Sequence, residues 1–328
     1  MSQIIIQFFV YILILTLIIY LSKKFNFVDK PNSRKIHLTK IVNTGGLALY
    51  SFLVLIIIQN EISFEIENII VVGFVVLLTG FLDDRIELSP SIKLILTSFP
   101  VLYLIFNGYL IEDLGTYEFV DKIYLGKFSI IFTILAVGLL INAYNYIDGL
   151  DGILLSNTIV SICYLIFLNY NNSINTILGY FLICCFISLF FNLLNEKNYF
   201  KIFLGDSGSL FIGFFMSFLI IFMYNFQQIH PAYLIWACWY PVYDFLYVTS
   251  KRFIERKKIY KADRLHFHHY IYKKCKNSQF KSFLIINFIN ISVLTIGYLI
   301  TNYVGKIYSL ILFLLLYVIF FILRKIKT

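Results

Sequence analysis

Amide and carboxylate side chains recur every third residue in the string NAYNYIDGLDG, at Asn142, Asn145, Asp148 and Asp151. At 100° per residue the first three span an arc of about 120° on a helix, so they can face one cleft. Asp151 would lie opposite Asn142 on an uninterrupted helix, so we expect the glycine after each aspartate to end or bend it. No basic side chain balances this string. It favours a polar ligand or a divalent cation, with the polar cap of a bundle helix as the alternative.

A second acidic string, FLDDRIELSPSIKL, places Asp83 and Asp84 side by side at the end of an apolar block, with Lys93 at the start of the next. Adjacent carboxylates repel each other unless a cation or a basic side chain shares their field. The string therefore indicates a charged site, and an ordinary helix-end turn in the headgroup layer is the alternative.

A third string, FLGDSGSL, brackets Asp206 and Ser207 with glycines just before an apolar helix. Small residues let backbone approach a ligand closely, and a helix N-terminus favours phosphate. A carboxylate there can hold a hard cation through oxygen. Asp206 is therefore the predicted metal position, and a plain N-cap by Asp206 or Ser207 is the alternative.

Three of the five histidines, His266, His268 and His269, lie beside Arg264 in the string DRLHFHHY. Such an array can bind phosphate, ligate a transition metal, or simply form a positive cytoplasmic loop. One histidine cluster is too few for a histidine-box membrane oxygenase. The usual soluble nucleotide folds are excluded as well, because neither a P-loop nor a GxGxxG pattern occurs.

A basic string near the N-terminus, DKPNSRKIHLTKIVNTGG, carries Arg34, Lys35 and His37 ahead of a glycine pair at a predicted helix start. These side chains could clamp an anion opposite the carboxylates. A charge run after a first helix also commonly sets membrane topology, so the string is a weak signal alone.

The segments that must position these groups are strongly apolar. Of the 328 residues, 60% are hydrophobic and 14% charged, against about 45–50% and about 25% in soluble domains. A helix needs about 20 apolar residues to cross a bilayer. The predicted fold is all-α, one polytopic membrane domain over residues 1–328 with about eleven transmembrane helices. The predicted blocks are 4–21, 45–58, 67–82, 92–107, 128–143, 153–169, 174–191, 208–224, 232–249, 281–301 and 307–323.

The distribution of lysine and arginine predicts the orientation of the bundle. If each block crosses once, the connectors and tail on one side carry 24 of these residues and those on the other side carry 3. By the positive-inside rule the N-terminus lies outside and the C-terminus in the cytoplasm. All the polar strings then fall at the cytoplasmic face, near 22–44, 83–93, 142–152, 192–207 and 250–281. The net charge of +9 is mostly an orientation signal and does not call for nucleic acid as a partner.

The five strings, in this order, resemble the polyprenyl-phosphate N-acetylhexosamine-1-phosphate transferases, glycosyltransferase family 4, across most of the chain. The string DRLHFHHY is similar to that of the undecaprenyl-phosphate GlcNAc-1-phosphate transferase branch, not to the triple-histidine string of the peptidoglycan branch. This chain has KIVNTGG where the family usually has prolines and often an arginine, and a long gap from Asn192 to Asp206. Both regions shape the donor pocket, so the donor sugar is left open.

The resemblance implies transfer of a sugar 1-phosphate from a UDP-sugar to undecaprenyl phosphate in the bacterial inner membrane, releasing UMP. It implies Mg²⁺ as cofactor, with Mn²⁺ as a substitute, ligated by Asp206 with Asp83 and Asp84 nearby. The implied catalytic residues are Asp83, Asp84, Asp206, His268 and His269. The implied substrate-binding residues are Arg34, Lys35, His37, Lys93, Asn142, Asn145, Asp148, Asp151, Asn192, Phe203, Arg264 and His266, with Phe203 stacking on uracil.

Two other functional classes compete with this interpretation. A transporter or lipid-binding protein would place polar groups on interrupted helices near the membrane midplane, whereas these strings cluster at helix ends. A CDP-alcohol phosphotransferase would need its own multi-aspartate pattern, of which only Asp-Gly is present. The oligomeric state is left open, a homodimer being one option.

Overall fold

The computed structural model describes residues 2–31, 37–60, 62–169, 174–258 and 264–326, and within them the chain is predominantly helical. The helices are α1 Ser2–Lys24, α2 Gly45–Gln59, α3 Phe64–Ile86, α4 Pro90–Phe106, α5 Ser129–Ile147, α6 Ile153–Leu168, α7 Ile174–Leu193, α8 Gly205–Asn225, α9 Pro231–Leu234, α10 Trp239–Ile254, α11 Phe267–Lys274, α12 Gln279–Tyr303 and α13 Lys306–Ile326. Two 3-10 turns cover Gly126–Phe128 and Ile235–Cys238. Strands β1 Val28–Asp29 and β2 Ile41–Val42 pair antiparallel.

Seven of the helices in the described ranges are long and apolar enough to cross a membrane: α1, α3, α5, α7, α8, α12 and α13. Helices α2, α4 and α6 are apolar but only 15, 17 and 16 residues long. At about 1.5 Å per residue they are shorter than a hydrocarbon core of about 30 Å. The predicted class, a polytopic bundle of membrane helices, is confirmed. The count of eleven crossings and the orientation stay predictions.

The block 232–249, predicted as one helix, is divided into α9, a 3-10 turn and α10, so that part of the prediction is wrong. Pro241 lies in the first turn of α10 and has no N–H to donate to Ala237 O, four residues earlier. The hydroxyl of Ser161 on α6 donates to that carbonyl instead, at 2.6 Å. A neighbouring helix thus satisfies the backbone group that the break leaves open.

Helix α8 is the centre of the bundle and packs against α2, α3 and α5, with nearly all of its residues buried. Glycines make the closest approaches possible. A Cβ on Gly46 of α2 would lie 2.3 Å from the Gly208 backbone, and one on Gly80 of α3 would lie 2.4 Å from Asp206 O. Three helices therefore converge on the first turn of α8, where Asp206 lies.

Contacts sort the connectors into two groups at opposite ends of the helices. At one end, Tyr109 donates to Glu65 O, Asn225 to Leu110 O and His230 to Thr116 O, and Glu118 accepts from the backbone of Lys306. At the other end, Phe203 N donates to Val42 O, Lys93 contacts Asp206, and Lys201 contacts Asp151. This is the division that alternating crossings predict, and the polar strings share one end.

Candidate active site

Lys93 connects the second and third acidic strings. Its Nζ donates to Asp83 Oδ2 at 2.7 Å and to Asp206 Oδ2 at 2.8 Å. Helix α3 continues through both aspartates to Ile86, and Asp83 Oδ1 closes the turn by accepting from Leu88 N at 2.8 Å. Pro90 then starts α4, which places Lys93 on its first turn. The short α3–α4 turn therefore directs the lysine back towards the acids.

Asp206 is held from three sides. It follows Gly205, whose φ of +73° suits glycine and whose Cβ would meet Asp84 Oδ2 at 2.6 Å. From α5, Asn145 Nδ2 donates to Asp206 Oδ1 at 2.9 Å and to Ser209 Oγ at 2.8 Å. The N-cap of α8 is Leu204, and no side chain caps this helix. The alternative of a plain N-cap by Asp206 or Ser207 is therefore wrong.

The acidic cluster, defined as Asp83, Asp84 and Asp206, has the composition of a cation site. Three carboxylates against the single ammonium of Lys93 leave a formal surplus of two negative charges, and oxygen is the ligand that Mg²⁺ prefers. In the described ranges no three acidic, histidine or cysteine side chains are already grouped as metal ligands. Instead, the Lys93 ammonium lies between two of the carboxylates. The donor chemistry and charge fit a divalent cation, and the lysine stands where positive charge is needed.

Asp148 lies between the acidic cluster and a second group around Asp151. Helix α5 ends at Ile147 with Asp148 as its C-cap, and α6 begins after Gly152, whose φ is +79°. The helix is therefore interrupted in the segment where the sequence predicted an end or a bend. Asp148 is exposed at the surface of the protein. Loss of hydration among the surrounding protein atoms, reinforced by the charges of Asp206 and Asp151, raises the pKa of Asp148 to about 7.

The second group surrounds a buried lysine. Lys201, 3% exposed, donates to Asp151 Oδ2 at 2.6 Å, contacts Asn192 O, and lies 5.4 Å from the centre of the Phe203 ring. The Asn192 amide accepts from Gly152 N and donates to Ile202 O. His37 lies 5.3 Å from the Phe203 ring and contacts Asp29. These contacts tie the loop before α8 to the α5–α6 turn.

The histidines of DRLHFHHY meet the same turn from the other side. His268 is fully buried, and a Cβ on Gly149 would lie 2.2 Å from its Nε2. Both of its ring nitrogens are buried without a hydrogen-bond partner. Burial, followed by the neighbouring His269 and His266, lowers the pKa of His268 well below its usual value. A neutral imidazole whose two buried nitrogens have no hydrogen-bond partner therefore lies against the glycine that follows Asp148.

Comparison with known proteins shows which family the residues of this site resemble. The model of glycosyl transferase family 4 matches residues 66–224, which include the acidic cluster, Asn145 and Asp148. The probable undecaprenyl-phosphate N-acetylglucosaminyl 1-phosphate transferase of Bacillus subtilis (strain 168) is 26% identical over 280 residues, 82% of this chain and 77% of the relative. The undecaprenyl-phosphate alpha-N-acetylglucosaminyl 1-phosphate transferase of Escherichia coli (strain K12) is 28% identical over 318 residues, 91% and 84% of the two chains.

The protein of the same name from Yersinia pestis is 29% identical over 265 residues, 76% and 70% of the two chains. Residues 66–224, just under half of the chain, are therefore similar to glycosyl transferase family 4. The resemblance seen in the sequence is therefore confirmed. The match to the Escherichia coli relative spans most of the chain, so the resemblance extends beyond the residues that the family model covers.

Some of the residues predicted for this site are not brought together. Arg34 and Lys35 lie outside the described residues. Asn142 Nδ2 donates to Gly138 O on its own helix, at 2.7 Å. Arg264 is exposed at the rim of a cavity of about 510 Å³, which His269, Tyr272, Lys273 and Asn277 also line. The substrate-binding roles of these side chains stay predictions.

The motifs missed three charged side chains that hold the candidate site together. Lys201 is buried against Asp151, while Asp244 and Arg324 lie behind the histidines. Asp244 could have been noticed, because a carboxylate inside an apolar block is costly and usually has a role. Lys201 and Arg324 resemble ordinary positive residues beside a membrane, and nothing local distinguishes them.

Proposed function

We propose that the protein transfers a sugar 1-phosphate, specifically an N-acetylhexosamine 1-phosphate such as GlcNAc-1-phosphate, from a UDP-sugar to undecaprenyl phosphate. The products are undecaprenyl-diphosphate-sugar and UMP, and the reaction is the priming step of a cell-surface polysaccharide. The match of residues 66–224 to glycosyl transferase family 4 supports the proposal, as do the names of the relatives from Bacillus subtilis and Escherichia coli.

One observation carries the proposal: the acidic cluster and the histidines meet across the turn that holds Asp148 and Gly149. Phosphoryl transfer depends on positioning two anionic substrates and on balancing the charge that spreads over the phosphoryl oxygens. An acidic cluster that can hold a cation, beside histidines that can donate hydrogen bonds, supplies both requirements. A structural salt-bridge network would not need the two ring nitrogens of His268, which have no hydrogen-bond partner.

The acidic cluster would hold Mg²⁺, or Mn²⁺ in its place, through the carboxylates of Asp206, Asp83 and Asp84. When bound, the cation supplies positive charge next to the phosphates. Lys93 provides a second positive charge, fixed between Asp83 and Asp206. Asn145 holds the Asp206 carboxylate in one orientation by donating to Oδ1.

In the proposed reaction an oxygen of the lipid phosphate forms a bond to the sugar-linked phosphorus of the donor. The bond from that phosphorus to the bridging oxygen breaks, and UMP leaves with this oxygen and its electron pair. His266, His268 and His269 and Arg264 face the diphosphate and sugar in this arrangement. Phe203 offers its ring to uracil, supported by the adjacent Lys201–Asp151 pair.

The proposed location is the bacterial inner membrane, with the N-terminus outside and the active site at the cytoplasmic face. UDP-sugars are found in the cytoplasm, whereas the lipid acceptor is embedded in the membrane. The phosphate of the acceptor must therefore meet the UDP-sugar at the cytoplasmic face. The 24-to-3 charge split supports this orientation. The grouping of the polar strings at one end of the helices supports it independently.

The deciding experiment incubates the purified protein with Mg²⁺, undecaprenyl phosphate and a panel of UDP-sugars, and measures UMP release. We expect release with at least one UDP-N-acetylhexosamine and a lipid-linked sugar diphosphate of matching mass. The substitution Asp206→Asn is the inactive control. If no sugar gives UMP release from a folded protein, the transferase proposal is wrong and transport of a lipid or polar solute becomes the hypothesis to test.

The metal assignment has its own test. The substitution Asp206→Asn removes one formal charge with little change in size, so it should weaken a hard-cation site without unfolding the protein. We expect nearly complete loss of turnover and partial recovery in excess Mg²⁺, with Asp121→Asn, an exposed acid in the 107–128 connector, as the matched control. Near-normal turnover at ordinary Mg²⁺ concentration would place the metal elsewhere, with Asp148 or Asp151 as the next candidates.

A further inference from the structure

Asp244 is a fully buried carboxylate that binds the histidine loop from behind. It lies on α10, and its Oδ2 accepts from His266 Nδ1 at 2.8 Å. Its Oδ1 accepts from the backbone N–H of Phe267 at 2.6 Å. The two oxygens therefore contact the side chain of one loop residue and the backbone of the next, which fixes both the ring and the start of α11.

The charge of Asp244 is balanced from the last turn of the final helix. Arg324 on α13 is 3% exposed, and its Nη1 lies 3.5 Å from Asp244 Oδ1. Its other terminal nitrogen donates to Leu265 O, just before His266. The guanidinium also lies 4.3 Å from the centre of the Tyr247 ring. Arg324 thus holds both the carboxylate and the loop that the carboxylate binds.

The hydrogen bond to Asp244 determines which nitrogen of His266 carries the proton. An ionised carboxylate only accepts, so Nδ1 must donate, and a neutral ring then keeps its lone pair on Nε2. The ring lies 5.3 Å from that of Tyr146 and stacks on that of His268 at an interplanar angle of 4°. Its orientation is therefore passed on to the histidine that touches Gly149.

We propose that Asp244 and Arg324 are positioning residues for sugar-phosphate transfer. Asp244 holds His266 in the Nδ1–H tautomer, and Arg324 places a positive charge beside Asp244 and fastens the histidine loop to α13. The inference rests on the proposed function for its kinetic consequence. Its structural part, the tautomer of His266, can be measured whether or not the protein transfers a sugar phosphate.

The substitution Asp244→Asn tests the tautomer directly. The new side chain keeps an oxygen for Phe267 N but presents an N–H to His266 Nδ1, which must then accept. We expect the His266 Nδ1 signal in ¹⁵N-histidine spectra to change from a protonated to an unprotonated shift. The chain has only five histidines, and the spectrum of a His266→Gln variant assigns the signal.

Turnover tests the positioning role. With the wrong tautomer at His266 we expect UMP release to fall about 100-fold, the scale of one lost acid–base or hydrogen-bonding group. Loss of packing alone would not reverse a tautomer. Arg324→Met should lower turnover about tenfold, and Arg324→Lys should recover part of it, because one ammonium can reach the carboxylate or the carbonyl. Lys325→Met removes the next, exposed charge on the same turn and is the matched control.

The outcomes separate this inference from the proposed function. A reversed tautomer in a protein that never releases UMP would support the positioning geometry and overturn the transferase proposal. An unchanged Nδ1 signal in a folded Asp244→Asn variant would overturn the inference, and so would full turnover in that variant. Thermal midpoints in detergent identify any variant that has simply unfolded. If Asp244→Asn or Arg324→Met unfolds, the conservative variant Arg324→Lys is measured in its place.

Discussion

Lys93 Nζ lies 2.8 Å from Asp206 Oδ2, although 113 residues separate the two in the chain, and it lies 2.7 Å from Asp83 Oδ2. One ammonium therefore occupies the position between two carboxylates that a divalent cation would also seek. Lysine and metal then share the same negative charge. Either the lysine shifts when the cation binds, or both remain and the lysine limits how tightly the cation is held.

Replacing Lys93 should separate cation affinity from turnover. In Lys93→Met the acidic cluster loses the ammonium that contacts Asp83 and Asp206. Mg²⁺ should then bind about tenfold more tightly, because the positive charge of the lysine no longer repels the cation. UMP release should still fall by about 100-fold, because a fixed positive charge next to the reacting phosphates is missing. The measurements are Mg²⁺ titrations of the thermal midpoint and of turnover.

Lys127→Met, an exposed lysine at the other end of the bundle, is the control for the loss of one positive charge. Unchanged Mg²⁺ dependence in Lys93→Met would mean that the cation binds away from the lysine. Unchanged turnover would remove Lys93 from the reaction altogether.

Asp113 should make the stability of the protein sensitive to acid. Burial acts to raise the pKa of Asp113, but the Tyr224 hydroxyl, Lys122 and the N–H of Gly115 outweigh it and lower the pKa below its usual value. A carboxyl whose folded-state pKa is depressed contributes stability above its unfolded pKa of about 3.9 and loses it as pH falls through the folded value.

We therefore expect the thermal midpoint to fall as the pH is lowered below about 4. The fall should be smaller in Asp113→Asn, which has no charge to lose. The exposed Asp121 in the same connector provides the matched substitution Asp121→Asn. An equal acid dependence in wild type and Asp113→Asn would show that other carboxyl groups govern acid stability.

Much of the helical architecture could be predicted from the sequence, because apolar blocks of the right length have few alternatives in a bilayer. Glycines and polar residues in the sequence predicted where α2 begins, at Gly45, and that α5 is interrupted near Asp148. They did not predict the break before α10. It depends on Ser161, far away in the chain, donating to the carbonyl that Pro241 leaves open. The residues next to Pro241 in the sequence do not reveal that Ser161 is the partner of this carbonyl.

The site was predictable where several chemical groups cluster locally and unpredictable where pairs form across the fold. Asp83, Asp206 and Asn145 each lie in a polar string, and the structure brings them together. Lys201 and Arg324 find their carboxylates 50 and 80 residues away. Their charge resembled an orientation signal, and only three-dimensional packing shows that they are buried.

Orientation can be tested with a native thiol. Cys275 ends α11 and is partly accessible, whereas Cys184, Cys185 and Cys238 are buried and Cys163 lies on the apolar helix α6. We expect a membrane-impermeant thiol reagent to miss Cys275 in intact cells and to label it in inverted vesicles. Cys275→Ser gives the background. Labelling from outside would reverse the topology and place the polar strings away from cytoplasmic UDP-sugars.

The last prediction concerns the route of the phosphoryl group: direct attack by the lipid phosphate, with no phospho-aspartate on Asp83 or Asp206. A phosphate monoester has a second pKa near 6, so this nucleophile is largely ionised at pH 7 and needs little help from a base. Asp83 and Asp206 share the Lys93 ammonium. An aspartate that attacked would have to leave this positive field and approach a diphosphate of its own sign, whereas two substrates ordered around one site need no such movement.

The two routes differ in one observable. An enzyme that forms a phospho-aspartate releases UMP before the lipid binds, so the lipid-free protein would exchange labelled UMP into the UDP-sugar. With direct transfer this exchange requires undecaprenyl phosphate, and adding it should raise the exchange rate from background. Mass measurement must first show that no carrier lipid remains bound. Rapid exchange in protein shown to be lipid-free would establish a covalent intermediate, and the acidic cluster would then have to supply the nucleophile as well as the cation ligands.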